Sequence, residues 1–354
     1  MASLPLKFLI PIIILLAVFL TYFFGTLDLS DRIFPPKTLN LQTNMGENLD
    51  FGEAEKVPHS LSIESLREGD YPGSDIVVEQ ELSPGSNYKR YLTSYKSEGL
   101  KIYALLTVPN VDPPEGGWSA VIFNHGYIPP TLYKTTERYV AYTDGFSRNG
   151  YVLLRPDFRG HGNSEGSPTG AYGSNGYTID VLNAVASIKN LPYVDANRIG
   201  MWGHSMGGFI TLRNMVVSKD VKAGVIWAGV VGSYEDLFER WRRRSVPSTT
   251  PSTRGGSWRQ SLSDQFGSPE VNPAFWNSLS ANSYLVDISG SLQLHHGTAD
   301  SSVPVEFSQK LEAQLKNAGK EVELFTYPGD DHNLSNNFST AMSRSIEFFD
   351  RYLK

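Results

Sequence analysis

The chain has 354 residues, 40% of them hydrophobic and 19% charged, which is enough apolar material for a large core. Its net charge of −6 argues against nucleic acid as a partner, because phosphate binding needs a basic face. Cysteine is absent, which excludes disulfides, thiol nucleophiles, thiolate metal sites and cysteine-linked lipids. There is no P-loop, no GxGxxG following a strand and no HExxH, so no metal or organic cofactor is expected.

The first element is "FLIPIIILLAVFLTYFF", Phe8 to Phe24, which carries no charge. With its flanks it approaches the roughly 20 residues that cross a bilayer. Lys7 precedes it, and Asp28 and Asp31 follow. That asymmetry predicts a transmembrane signal-anchor over 1–27, its N-terminus cytoplasmic and the rest of the chain extracytoplasmic. Cleavage and secretion is the rival, disfavoured by the bulky "TYFF" where a cleavage site needs small residues. Residues 28–72 read as a polar tether with scattered Pro, Asn and Gly.

An α/β domain is expected over 73–354. Short alternating runs at 75–82, 86–97 and 100–109, separated by turn residues, predict antiparallel strands at one edge. From residue 119 the pattern changes to continuous apolar runs, "SAVIFNHG", "YVLLRPDF", "RIGMWGHS" and "VKAGVIWAGVV", alternating with helical segments. That alternation predicts a mostly parallel sheet covered by helices on both faces. Ligands of such sheets gather at the carboxyl ends of the strands. Residues 230–285 interrupt the alternation and read as a lid-like insertion. "SLQLHHGTAD", a helix, "EVELFTYPG" and a last helix from about 336 to 352 complete the chain.

Within "GHSMGG", Ser205 sits between glycines where a strand turns into a helix, the G-x-S-x-G pattern of a nucleophile elbow. A serine hydroxyl needs a base within reach and a carboxylate to orient that base. In this architecture the order is Ser, acid, His. Of seven histidines, His332 alone lies in a loop between the last strand and the last helix, where the base belongs. Asp300 lies on the preceding strand-to-helix loop and is the expected acid. Asp330 and Asp331 are rivals too close in sequence to the base, and Glu235 and Asp236 are weaker alternatives. Oxyanion donors are expected at the backbone N–H of Met206, after the nucleophile, and of Tyr127, after the His125-Gly126 turn. In the insertion, Trp241, Arg243 and Trp258 could hold an aryl or sugar group bearing a carboxylate; solvated arginines on a lid, or facing an anionic membrane, are the competing reading.

Taken in order, "HGYIPP", "RPDFRGHGNSEG", "GHSMGG", "HGTADSSVP" and "GDDHN" resemble the α/β-hydrolase superfamily. More narrowly they resemble the catalytic domain of the prolyl oligopeptidase family and dienelactone-hydrolase-like esterases, over about 75–354. The resemblance implies Ser205, Asp300 and His332 as nucleophile, acid and base, and Tyr127 and Met206 as the oxyanion hole. It also implies a structural loop at Asp157, Arg159 and Gly160, with His161 a packing residue. The stretch before 119 is too short for the family's β-propeller, so an open-mouthed hydrolase of small esters or short peptides is expected. A tethered binding or scaffold protein on the same fold is the alternative from another class.

Overall fold

The computed structural model describes residues 58–241 and 258–354. The expected anchor over 1–27, most of the tether and Arg243 lie outside the described residues. Among the described residues no helix is long and apolar enough to cross a membrane.

The first described helix, α1 (Ile63–Glu68), corrects the expected tether over 28–72. Ser62 caps it by accepting from the Ser65 N–H, and Ile63 and Leu66, one turn apart, are buried in the main core. Three strands follow, β1 (Val77–Leu82), β2 (Tyr88–Ser97) and β3 (Leu100–Pro109), paired antiparallel. Next come β4 (Trp118–Asn124), α2 (Val140–Arg148), β5 (Val152–Pro156), α3 (Gly176–Lys189), β6 (Val194–His204), α4 (Met206–Val217) and β7 (Val221–Trp227). Among its described residues the insertion contributes three short helices, α5 (Tyr234–Glu239), α6 (Trp258–Phe266) and α7 (Pro273–Leu279). The chain closes with β8 (Ser291–Gly297), α8 (Val305–Asn317), β9 (Val322–Tyr327) and α9 (Phe338–Leu353).

The nine strands form one sheet in the order β1-β2-β3-β5-β4-β6-β7-β8-β9. Strand β3 meets β5 antiparallel, and every pair from β5 to β9 is parallel. Side chains of the buried strands alternate between two cores. Ala120, Ile122, Val152, Leu154, Ile199 and Met201 join the core shared with α1, α3, α4 and α8. Val121, Phe123, Leu153 and Trp202 enter the core shared with α2 and α9. Both faces are therefore apolar, which is why these strands read as continuous rather than alternating hydrophobic runs.

Helix α9 shows the opposite pattern. Ala341, Met342, Ser345, Phe348, Phe349 and Leu353 are buried at the i, i+3, i+4 spacing of a helix with one wet face. Helix α4, by contrast, is buried from Met206 to Val216. The chain order reverses direction around β4, with β5 on one side and β6 on the other. The carboxyl ends of β4 and β6 thus open the crevice at a topological switch point.

Candidate active site

Ser205 occupies the corner between β6 and α4 with φ 55° and ψ −116°, a region that non-glycine residues rarely adopt. Three backbone hydrogen bonds hold it there. Its N–H donates to the Trp227 carbonyl at 3.0 Å, and its carbonyl accepts from Gly208 and Val230, each at 3.0 Å. The surrounding glycines are dictated by backbone crowding. A Cβ on Gly203 would run into the Gly207 carbonyl, and one on Gly207 into the Asn124 carbonyl. The pattern around the serine is therefore a packing requirement of the elbow.

Met206 is the first residue of α4, so its N–H has no acceptor one turn back. Gly126, at the end of β4, lies against the same corner, because a Cβ there would sit 3.2 Å from the Ser205 Cβ. Tyr127 follows directly and is 51% exposed. The structure thus brings the Gly126–Tyr127 turn, Ser205 and Met206 to one place.

Asp300 and His332 meet on the adjacent loops. His332 Nδ1 donates to Asp300 Oδ2 at 2.7 Å. The Asp300 side chain is fully buried, while that of His332 keeps 19% exposure. Asp300 Oδ1 accepts from the N–H groups of Ser302 at 2.7 Å and Val303 at 3.0 Å. Oδ2 also lies 3.2 Å from His296 Nε2. Burial alone would raise the Asp300 pKa, but hydrogen bonds from His296 and His332 outweigh it and hold the carboxyl well below the usual carboxylate range.

No hydrogen bond joins the Ser205 hydroxyl to the His332 imidazole among the described residues; their loops are connected through the preceding residue. His204 Nε2 donates to the His332 carbonyl at 2.9 Å, and the two rings are 4.6 Å apart. On its other side His204 Nδ1 lies 2.8 Å from the Tyr139 hydroxyl, which accepts from the Gly126 N–H at 2.8 Å. The directions are mutually consistent: Gly126 N–H to Tyr139, Tyr139 O–H to His204, His204 N–H to His332. One chain of three bonds ties the turn after β4 to the loop carrying His332. Burial pushes the His204 pKa down to about 3, and the nearby His332 adds to the effect.

The rival carboxylates are engaged elsewhere. Asp330 accepts from the N–H groups of Asn336 and Asn337, and Asp331 from those of Asn333 and Ser335. Asp236 closes the capping box of α5 and pairs with Lys310 at 2.8 Å. His161 is buried edge-on to Tyr133 and Tyr177, and Arg159 pairs with Asp180 at 2.7 Å, as a structural loop requires.

Of the two described tryptophans expected to meet substrate, Trp258 is partly buried against the core, and Trp241 is nearly buried but borders a cavity that also touches Asp300. Trp241 is 6% exposed and donates its indole N–H to the Ser302 carbonyl at 2.8 Å. Tyr172 packs edge-on to Trp241 and tilted against Trp258. The Arg259 guanidinium lies 4.8 Å over Trp258 and donates to the Leu237 and Trp241 carbonyls. A large aromatic gains more by burial than by exposure on a lid. His296 and Tyr139, which hold the acid and join the loops, were not singled out from sequence. Period-two alternation on β8 sends His295 and His296 to opposite faces and marks His296 as the one on the Asp300 side; nothing local marks Tyr139.

A serine on a strained elbow, with a buried carboxylate-imidazole pair on neighbouring loops of a mostly parallel sheet, defines an α/β-hydrolase of the serine hydrolase class. The sequence pattern of the prolyl oligopeptidase family (Peptidase_S9) matches residues 139–354, and the chain belongs to that family. It is 25% identical over 259 residues to the uncharacterized peptidase YtmA of Bacillus subtilis, covering 73% of this chain and 92% of that one. It is 28% identical over 202 residues to the uncharacterized peptidase YuxL of the same organism, covering 52% of this chain. There the match spans about a quarter of the relative, 27% of its length. Acetyl xylan esterase 1 from Thermoanaerobacterium superimposes with a TM-score of 0.61 at 15% identity, covering 84% of this chain and 95% of that one, which is a likeness of fold.

Proposed function

We propose that this serine hydrolase cleaves small esters or short-peptide amides through an acyl-serine intermediate. Ser205 attacks the carbonyl while His332 takes its proton, and Asp300 orients and stabilises the resulting imidazolium. The N–H groups of Tyr127 and Met206 receive the oxyanion. His332 then protonates the leaving group, and water repeats the sequence to release the acid. The observation that carries this reading is the 2.7 Å hydrogen bond from His332 to a fully buried Asp300 whose other oxygen is held by two N–H groups. An unliganded elbow commonly leaves the serine–imidazole bond unmade until substrate closes the site. Matches that span 92% of a peptidase relative and 95% of an esterase of the same fold support a compact enzyme open to both bond types.

The test is labelling by a fluorophosphonate probe, with wild type reacting and Ser205→Ala and His332→Ala not. A panel of p-nitrophenyl acyl esters against aminoacyl p-nitroanilides then assigns the preferred bond. Labelling that persists in Ser205→Ala overturns the assignment of the nucleophile. The membrane reading belongs to the same proposal: residues 8–24 anchor the enzyme with its catalytic domain extracytoplasmic. Full-length protein resisting alkaline extraction, against release of a chain lacking residues 1–27, is the expected outcome.

A further inference from the structure

Beside the Tyr127 turn lies an open cleft of about 410 Å³, lined by Tyr127, Pro129, Arg138, Tyr139, Tyr142 and Asn333, among others. Its two ends are informative. Tyr127 carries one proposed oxyanion donor, and Asn333 directly follows the proposed base. The leaving group must lie next to the imidazole that protonates it, so a cleft bordered by Asn333 takes the departing part of the substrate.

The polar groups of this cleft are unevenly engaged. The Tyr139 hydroxyl bonds to Gly126 and His204, and the Tyr142 hydroxyl donates to the Asn333 carbonyl at 3.2 Å. Arg138 is exposed, and no carboxylate pairs with it among the described residues. The nearest acid in sequence, Glu137, pairs with Lys134 at 2.8 Å. Asp331, near the opposite wall, accepts from Asn333 and Ser335.

Arg138 is also held in place at a cost. It and Tyr139 both adopt positive φ, 57° and 50°, which side-chain-bearing residues rarely do in succession. The buried Arg155 fixes this backbone, donating to the Arg138 carbonyl at 2.9 Å and to the Thr135 and Glu137 carbonyls. Strained backbone clamped from below presents a guanidinium at the rim of the crevice.

We infer that this cleft is a leaving-group subsite in which Arg138 receives a carboxylate, so that the preferred substrates are esters or short peptides whose departing half is an acid. Two parallel N–H donors suit a carboxylate, and the tyrosine and proline walls suit the carbon skeleton that bears it. The inference rests on the acyl-serine reading above. It moves the carboxylate contact from the arginines of the insertion to the loop after β4.

The test compares 4-acetoxybenzoate with 4-acetoxybenzamide, whose leaving phenols differ in charge at one position. Wild type should favour the acid about tenfold in kcat/KM at low salt, with the preference shrinking as ionic strength rises. Arg138→Gln should lower kcat/KM for the acid about tenfold more than for the amide. A preference that survives Arg138→Gln, an equal loss on both substrates, or no preference in wild type overturns the inference. Moving the carboxylate to the acyl side, with mono-4-nitrophenyl succinate against 4-nitrophenyl butyrate, should give no Arg138-dependent preference; if it does, the cleft holds the acyl half. Failure of wild type to turn over either acetoxy ester overturns the inference too. Fluorophosphonate labelling of Ser205 then preserves the hydrolase reading, and loss of labelling ends both.

Discussion

The loops after β8 and β4 leave the same edge of the sheet and are built on opposite plans. In the first, Asp300 is buried and every contact it makes is internal: two N–H groups on one oxygen, two imidazoles near the other. In the second, Tyr127 is exposed and Arg138 stands at an open cleft without a protein carboxylate among the described residues. Chemistry on one bond needs a single geometry, which internal hydrogen bonds fix in advance. Discrimination between substrates needs groups whose partners arrive with the ligand. The loop after β8 answers the first requirement and the loop after β4 the second.

Substitutions can break that contrast. The largest loss should come from Asp300→Asn, about 10⁴-fold in kcat, because the imidazole loses the carboxylate that fixes its tautomer. Circular dichroism should show the fold retained, and steady-state kinetics measures the loss. Next is Tyr127→Pro, which deletes a single N–H and should cost about 10² to 10³ in kcat. If it costs more than Asp300→Asn, the loop after β4 carries more of the chemistry than the contrast allows.

A third measurement uses pH and treats both loops alike. Burial depresses His125, His204 and His295 to about 3, below the roughly 6.5 of an unfolded histidine. The unfolded chain therefore binds these protons first as acid is added. Their contribution is complete above about pH 6.5 and is lost progressively as pH falls toward 3, on the order of 2 kcal/mol for one imidazole at pH 5. Asp157, raised by burial to about 6, works in the opposite direction, gaining stability as pH falls from 6 toward 4. Urea midpoints should be lower at pH 5 than at pH 7.5, and an unchanged midpoint would contradict the buried imidazoles. The smallest effect should be Tyr139→Phe, about tenfold in kcat with KM little changed, since it severs the link between the two loops without removing a reacting group. A matching loss in thermal stability with unaltered kinetics would make Tyr139 a packing residue only.

Much of this architecture was legible because its signals are local. The glycines around Ser205 and the continuous apolar strands are short patterns with direct physical causes. Helix α1 was hidden because two buried residues, Ile63 and Leu66, are too few to show a period within a polar stretch. Tyr139 joins Gly126 to His204, a partner 65 residues away, which no local window reveals. Composition alone does not distinguish an aromatic on a rim from one folded beneath it, and Trp241 is nearly buried while still bordering a cavity.

The clamp formed by Arg155 makes the backbone under residue 138 a fixed mount. What the mount carries can change without refolding the turn or disturbing the hydrolytic centre. A single codon, Arg138→Glu, should therefore reverse the charge of the molecules the cleft welcomes. Relatives could diverge in diet this way while sharing the same engine.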